Sequence, residues 1–465
     1  MDVLYCPGTE DLIMRQIDFS SDRTAHNVAA SALPMLVAQL LSLLYSIVDR
    51  IYIGRIPGEG TAGLGGIGLC FPVIMIVTAF TNLFGMGGAP LCAIARGRKD
   101  QTQAETLMNT SFTLLIGTSI VLMAFFEGFA APALRLFGAS EQLLPHASVY
   151  LRLYLLGTPA TMIASGMTPF INAQGYASSG MLAIFIGAVS NLILDPILIF
   201  VLGMGLRGAA LATVIAQCLS AVFVILFLLR PACELHLKPL PPSRFVPENV
   251  IRILSVGLTS FIMQFTNSLV TIVCNATLSR YGGDLYISIY TIIASVRSLL
   301  DVPVNSISDG ASPVLSYNYG ARRPEQMRKT VQLFTIWNVG YTGVVWVFIP
   351  LFPAFFIQIF TSDHALIESA APVLKLYYFA FIFQALQYSG QTVFKALGRT
   401  RQAVFFSLLR KVLIVVPLTL LLPGIFGFGA RGVFLAEPIS NFLGGVACFT
   451  TMYITEYRQW DKLSG

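Results

Sequence analysis

Four polar side chains in the first half of the chain could together bind a small cation or a proton. Asp49 closes a long uncharged stretch, and Asn191 and Asp195 are four residues apart, which puts both on one face of a helix. Pro196 has no N–H and so frees a backbone carbonyl one turn earlier, while Thr213 adds a hydroxyl. Oxygen ligands of this kind suit a proton or a hard cation such as Na⁺, and not zinc or copper.

Simpler interpretations of these aspartates stay open at this point. Asp49 could pair with Arg50 or Arg55, and Asp195 could serve to cap a helix break. Pro34, fifteen residues before Asp49, removes a helical hydrogen bond and predicts a kink. A kink beside a titratable group is what a proton-driven bend would use, but a passive packing kink explains it equally well.

Three further charged residues stand inside apolar stretches of the second half. Arg297 and Asp301 are four residues apart, a spacing that favours an internal ion pair. Glu437 is followed by Pro438, and a structural role explains it as well as a functional one. We retain Arg297, Asp301 and Glu437 as secondary candidates, because ionisable groups in membrane spans are costly.

The composition of the chain predicts that these residues lie on helices that cross a membrane. The 465-residue chain is 55% hydrophobic and 11% charged, with a mean hydropathy of +0.74, whereas soluble domains carry about 25% charged residues. A span needs about 20 apolar residues, and its backbone must be hydrogen-bonded internally, which favours helices. We therefore predict an all-α integral membrane protein with twelve spans near residues 26–50, 62–90, 106–134, 147–170, 180–203, 207–230, 250–280, 286–315, 328–356, 368–394, 402–423 and 431–455.

The basic residues predict the orientation. With the N-terminus inside, 20 of the 29 Lys and Arg fall on the inner side, Arg410 and Lys411 among them. The net charge of +6 is therefore a topology signal and does not indicate a nucleic-acid partner. Arg297 is then the one basic residue well inside a span, which disfavours anionic cargo.

Two halves of six spans repeat each other. Three segments of the first half recur in the second: 95–105 in 318–325, 172–176 in 395–399, and 205–212 in 429–436, the last at an offset of 224 residues. This pattern predicts two pseudo-symmetric lobes. We divide the chain into a cytoplasmic tail (1–25), an N-lobe (26–230), a cytoplasmic linker (231–248), a C-lobe (249–456) and a second cytoplasmic tail (457–465).

The sequence resembles the MATE family of multidrug and toxic compound extruders, in particular its MepA-type branch of bacterial multidrug export proteins. The resemblance lies in segments 48–54, 95–100, 172–175, 191–195, 315–321 and 395–398. It implies a V-shaped pair of lobes in a bacterial cell membrane that exports amphipathic organic cations by antiport with H⁺ or Na⁺. It also implies a cation site in the N-lobe, whose motif positions fall on Asp49, Asn191, Asp195 and Thr213.

One departure from the family concerns the C-lobe. Some relatives carry a second acidic site there, with a Glu in span seven and an Asp in span ten. Here span seven contains Phe261–Asn267, and no acid lies between Leu376 and Phe394. We therefore expect coupling through the N-lobe, so that Glu437→Gln should be tolerated.

Other functions are less well supported. The chain has no GxxxxGK[ST] phosphate loop, histidine cluster or GxSxG turn, which argues against an ATP-driven pump and a membrane enzyme. The alternative within transport is a flippase for lipid-linked oligosaccharides. We expect no cofactor, no metal beyond Na⁺ at the coupling cluster, small cationic drugs and the bilayer as partners, and a monomeric chain.

Overall fold

Long helices make up the first half of the chain. The computed structural model describes residues 16–56, 60–137, 141, 143–231, 233–238, 246–361, 363–425 and 427–464. Parts of the predicted tails and linker (1–15, 232, 239–245 and 465) lie outside these residues. The helices of the first half are α1 Thr24–Gly54, α2 Gly60–Gly97, α3 Gln101–Leu136, α4 Leu144–Leu156, α5 Thr158–Ala173, α6 Ala177–Pro196 and α7 Leu206–Leu228.

The second half has the same helical character. A continuous helical stretch bends at Gly283 and forms two spans, and several later helices are interrupted. The helices are α8 Pro247–Gly283, α9 Leu285–Gly320, α10 Pro324–Leu351, α11 Pro353–Gln358, α12 His364–Tyr377, α13 Gln384–Ala396, α14 Thr400–Leu408, α15 Val416–Leu421 and α16 Ala430–Thr455. The described residues contain no strand, so the all-α prediction is confirmed.

Each of the twelve predicted spans corresponds to a helix or to an interrupted pair of helices. Among the described residues, ten helices are long and apolar enough to cross a membrane. An eleventh span is formed by His364–Tyr377 with Phe381–Ala396, bent by 49°. The predicted span 147–170 is interrupted at Gly157, between α4 and α5. The chain is thus a multi-pass membrane protein.

The backbone repeats itself between the halves at the segments that the sequence singles out. Asp100 N–H donates to the Ala95 carbonyl over 3.0 Å, and Arg323 N–H donates to the Asn318 carbonyl over the same distance. In both cases the residue before the donor, Lys99 or Arg322, has a positive φ, and the hydrogen bond ends the helix. Apart from Gly283, the described residues with positive φ fall in pairs 223 or 224 positions apart: Lys99 and Arg322, Gly175 and Gly398, Gly203 and Gly427, Gly205 and Gly429. The predicted internal repeat is therefore present in the structure.

By its contacts the chain divides into two units, which differ from the predicted lobes at their edges. Unit 1 contains Val37–Gly257 and the described residues 16–18, and unit 2 contains Phe19–Leu36 and Leu258–Gly465. Helix α1 is one unbroken α-helix across Pro34 and contributes residues to both units. The bend predicted at Pro34 stays a prediction.

Small residues allow helices to pack closely within each unit. In unit 1, a Cβ on Gly85 of α2 would lie 2.7 Å from the Gly166 carbonyl oxygen of α5. In unit 2, a Cβ on Gly310 of α9 would lie 2.5 Å from Ala32 Cα of α1. Close backbone approach of this kind is a common basis of helix association in membranes, where apolar side chains gain little by leaving lipid.

We predict that Gly205→Ala and Gly429→Ala each lower the free energy of unfolding by about 1–3 kcal/mol. Both glycines precede their helices at almost the same dihedral angles (φ 56°, ψ −132° and φ 54°, ψ −141°), in a region that residues with a Cβ avoid. Thermal unfolding of the purified variants measures the effect.

Gly117→Ala and Gly340→Ala are the matched controls, one in each unit. Both glycines lie inside helices, and a Cβ there would meet nothing within 4 Å. Alanine should therefore leave stability unchanged or raise it by up to about 1 kcal/mol. Equal melting temperatures for all four variants would show that the positive-φ turns are not strained.

Candidate functional site

The four residues predicted for the first half lie together in unit 1. Asp49 near the end of α1 and Asp195 near the end of α6 have their carboxyl groups within hydrogen-bonding reach of each other. Asn191 Nδ2 lies 3.2 Å from Asp195 Oδ1 and 3.5 Å from Thr213 Oγ1 on α7. Asn191 and Asp195 thus lie on one face of α6 and contact each other, as their i,i+4 spacing predicted.

Hydrogen bonding leaves acceptor oxygens directed into this cluster. The Thr213 hydroxyl donates to the Ala209 carbonyl over 3.1 Å, so the lone pairs of its oxygen face Asn191. Asp195 and Asn191 are 1% and 3% exposed. Asp49 Oδ1 is buried and has no hydrogen-bond partner among the described residues. A buried oxygen without a donor is costly and marks a place where a proton or a cation would be stabilised.

The simpler interpretation of Asp49 is not supported. Within the described residues, no Lys or Arg lies within 4.0 Å of either aspartate, so neither Arg50 nor Arg55 forms an ion pair with Asp49, and Arg50 interacts with it electrostatically only over a longer distance. The carboxyl groups of Asp49 and Asp195 therefore face each other and not a basic side chain.

A local change of helix type follows Asp195. Helix α6 ends at Pro196 and continues as a π-helical turn, Ile197–Val201, in which Leu202 N–H donates to the Ile197 carbonyl over 2.9 Å. Proline cannot donate the helical bond that would continue α6. Single π turns are rare and occur frequently at functional sites.

Two tyrosines beside the acid pair were not among the sequence candidates. Tyr45 lies one turn before Asp49 on α1, and Tyr150 lies on α4; both interact electrostatically with Asp49. The spacing of Tyr45 and Asp49 was a signal that the sequence offered. Nothing in the sequence pointed to Tyr150, because only tertiary packing brings it to Asp49.

A second charged cluster lies in unit 2 around Glu437. Glu437 Oε1 accepts from Arg297, from Arg410 Nη2 at 2.5 Å and from Lys411 Nζ at 3.5 Å. Arg297 Nε also lies 3.3 Å from Asp301 Oδ2, as its i,i+4 spacing predicted. Three cations and two carboxylates thus share one buried region, and we call these five residues the ionic cluster.

The sequence interpretation of Arg410 and Lys411 was wrong. Both were counted with the inner-surface residues, but they lie in a π-helical segment, Leu409–Val415, inside the candidate span Thr400–Leu421. Their side chains are 8% and 14% exposed. Arg297 is therefore not the one basic residue within a span. The signal was available, because the predicted span 402–423 already contained both positions.

Comparison with known proteins decides the family. The MatE family model matches residues 34–197 and again 260–421, together more than half of the chain. The chain belongs to the MATE family. The two matches fall one in each half, in agreement with the repeat in the backbone.

Relatives and solved structures agree with this assignment. The chain is 25% identical over 433 residues to "Multidrug export protein MepA" of Staphylococcus aureus (strain MRSA252), which covers 92% of this chain and 93% of the relative. A MATE crystal structure in the bent conformation matches with a TM-score of 0.88, 22% identity and 98% coverage of both chains. The outward-facing conformation of a multidrug resistance MATE family transporter matches with a TM-score of 0.87 and 21% identity, over 98% of both chains. The fold is that of the MATE transporters.

The acid pair of this MATE protein has a neutral counterpart in unit 2. Thr419 is 224 positions after Asp195, and Cys274 is 225 positions after Asp49. Cys274 Sγ lies 3.9 Å from Thr419 Oγ1, so the two positions meet as the aspartates do in unit 1. The contact between the two helices is repeated, but the charge is not.

Glu437→Gln should lower the free energy of unfolding by about 3–5 kcal/mol, since it removes the shared partner of three buried cations. The expectation from the sequence, that Glu437→Gln leaves substantial drug export, concerns transport and stays a prediction. Thermal unfolding of purified Glu437→Gln measures the loss.

The double variant Glu437→Gln, Lys411→Met provides the control. It restores the charge balance of the parent cluster and should recover part of the lost stability. If the double variant unfolds no later than Glu437→Gln, charge imbalance is not the cause of the loss.

Proposed function

We propose that this MATE transporter exports amphipathic organic cations from the cell by antiport with H⁺ or Na⁺, and that Asp49 and Asp195 bind the coupling ion. The observation that carries the proposal is the contact of two carboxyl groups that have no basic side chain within 4.0 Å among the described residues. The resemblance to multidrug export proteins supports the drug class.

Electrostatics explains why such a pair needs a positive charge. Two carboxylates in contact repel each other, and a low-dielectric surrounding increases that repulsion. A proton shared between them, or a Na⁺ bound to both, removes it. The protons then titrate from the pair as a unit and not from either residue alone.

The neighbouring residues fit either ion. For a proton, the pair itself supplies donor and acceptor. For Na⁺, Asp49, Asp195 and the Thr213 oxygen supply three oxygens, and a 180° turn of the Asn191 amide would supply a fourth. Among the described residues, no group of three or more His, Cys, Asp or Glu could hold a metal ion, so the cluster has no resemblance to a transition-metal site.

Coupling requires that ion and drug favour different states of the protein. We propose that the ion binds from outside, neutralises the pair and stabilises a conformation of lower drug affinity. Release of the ion to the cytoplasm restores the charged pair and the drug-binding state. The predicted bend of α1 at Pro34 would connect these states, because the same helix carries Asp49. The termini and the basic inner segments are proposed to be cytoplasmic.

The flippase alternative gains little from the corrected positions of Arg410 and Lys411. The three cations of the ionic cluster converge on Glu437, and Arg297 also bonds Asp301. Only one positive charge remains in excess, which is too little to neutralise a pyrophosphate. Cation export therefore remains the proposed function.

Asp195→Asn should still bind drug but lose the dependence of binding on pH and on Na⁺, because asparagine cannot take part in the ion equilibrium. Drug binding to the purified protein, measured from mildly acidic to mildly alkaline pH with and without Na⁺, tests this. Dye efflux from vesicles under an imposed pH gradient or Na⁺ gradient, each alone, should cease in the same variant.

The control is Glu127→Gln, which neutralises an acid of α3 outside the cluster. It should keep the ion response of the parent. Were Asp195→Asn to keep that response as well, the coupling ion would bind elsewhere and the proposal would fail.

A further inference from the structure

With Lys411 protonated, the ionic cluster of unit 2 carries a charge that its own residues do not neutralise. Arg297, Arg410 and Lys411 then supply three positive charges, and Asp301 and Glu437 supply two negative charges. The neighbouring polar partners, Gln384, Tyr377 and Asn441, are uncharged. An unmatched charge in a membrane span is costly and calls for a counter-charge.

The surplus can be assigned to particular donors. Each side-chain nitrogen of Arg297 has a partner: Nε contacts Asp301, Nη1 contacts Glu437 and Tyr377, and Nη2 contacts Gln384. Lys411 Nζ has one contact among the described residues, at 3.5 Å from Glu437, although an ammonium can donate three hydrogen bonds. Arg410 Nε is buried and has no hydrogen-bond partner in the part of the chain that the structure describes. The unused donors therefore belong to Lys411 and Arg410.

The backbone places these two donors side by side. Successive residues of an α-helix point about 100° apart, so neighbours do not normally face one target. Arg410 and Lys411 lie in the π-helical segment Leu409–Val415, and both reach Glu437 Oε1. The wider segment thus turns two adjacent cations toward one point, as π turns at functional sites do.

The surroundings would favour an ion of opposite charge. Val433, Phe434 and Ala436, just before Glu437 on α16, belong to a buried apolar cluster, which lowers the local dielectric. Lys411 and Arg297 keep 14% and 15% of their side-chain surface exposed, so these two residues form the open side of the cluster. Glu437 and Arg410, at 5% and 8%, form the closed side of the cluster.

We propose that Lys411 binds a monovalent anion, either the carboxylate of an organic solute or chloride, and that the buried Arg410 behind it adds positive charge. One negative charge balances the cluster, and a carboxylate or chloride can accept from the unused donors of Lys411. Binding of a carboxylate at this site would let the transporter hold zwitterionic solutes, whose negative group the proposed cation export does not explain. The inference stands apart from the ion coupling at Asp49 and Asp195.

The test compares a zwitterionic drug that has one carboxylate with its methyl ester, which lacks the negative charge. Affinities are measured on the full-length protein in nanodiscs, with chloride replaced by sulfate. The parent should bind the acid about tenfold more tightly than the ester, as expected for one charge-assisted interaction. Lys411→Met should bring the ratio close to one and leave ester binding unchanged.

Two variants control for general damage. Lys411→Arg keeps the charge and should keep most of the preference for the acid. Lys375→Met removes an exposed lysine of α12 in the same unit and should keep all of it. Asp195→Asn should also keep the ratio, so that a failure of the proposed ion coupling can be told apart from a failure of this site.

Chloride titration distinguishes the two sources of the anion. Competition between chloride and the acid, with the ester unaffected, shows that both use the site. Equal binding of acid and ester, together with chloride stabilisation of the parent that Lys411→Met loses, identifies chloride as the occupant. Equal binding without such stabilisation, or an equal loss of acid and ester binding in Lys411→Met, overturns the proposal.

Discussion

The contact between Asp49 and Asp195 is the interaction on which the proposed function of unit 1 depends. Two carboxyl groups that meet inside membrane-spanning helices cannot both stay charged without a large electrostatic cost. The chain provides no basic partner within 4.0 Å of them among its described residues, and Asp49 Oδ1 has no donor. Under the proposed function, the positive charge that neutralises the pair comes from solution, as H⁺ or Na⁺. Asn191 donates to Asp195 and lies next to Thr213, and a π turn follows Pro196.

The two halves show how one repeated backbone supports different chemistry. Cys274 and Thr419 occupy the positions in unit 2 that correspond to Asp49 and Asp195. They contact each other as the aspartates do, but both are uncharged. The charges of unit 2 lie instead around Glu437, at the position that corresponds to Thr213 under the 224-residue offset. The acid pair of unit 1 thus has no basic side chain within ion-pair distance, whereas the ionic cluster of unit 2 has one basic side chain more than it has carboxylates. Small changes of residue type, and not a change of fold, separate an acid pair from a basic cluster.

Much of the fold followed from local patterns in the sequence. Hydropathy predicted the spans because lipid requires long apolar helices, and the repeated segments predicted turns that reappear as paired positive-φ residues such as Gly205 and Gly429. The i,i+4 spacing of Asn191 with Asp195 and of Arg297 with Asp301 predicted two contacts correctly. Arg410 and Lys411 were missed, because two adjacent cations are typical of a loop, and a π segment that turns both toward one carboxylate has no simple sequence signature. Tyr150 was missed because its approach to Asp49 depends on tertiary packing.

Infrared difference spectroscopy tests the central claim most directly, since the carbonyl stretch of a protonated carboxyl group is distinct from that of a carboxylate. Spectra of the purified protein at mildly acidic pH and without Na⁺ are compared before and after drug is added. If the acid pair holds the exchanged proton, drug binding should remove one protonated carboxyl band. Asp49→Asn and Asp195→Asn should each abolish this change, whereas Glu127→Gln should keep it. A band that disappears equally in the parent and in both aspartate variants would contradict the account, because the proton would then reside on another group.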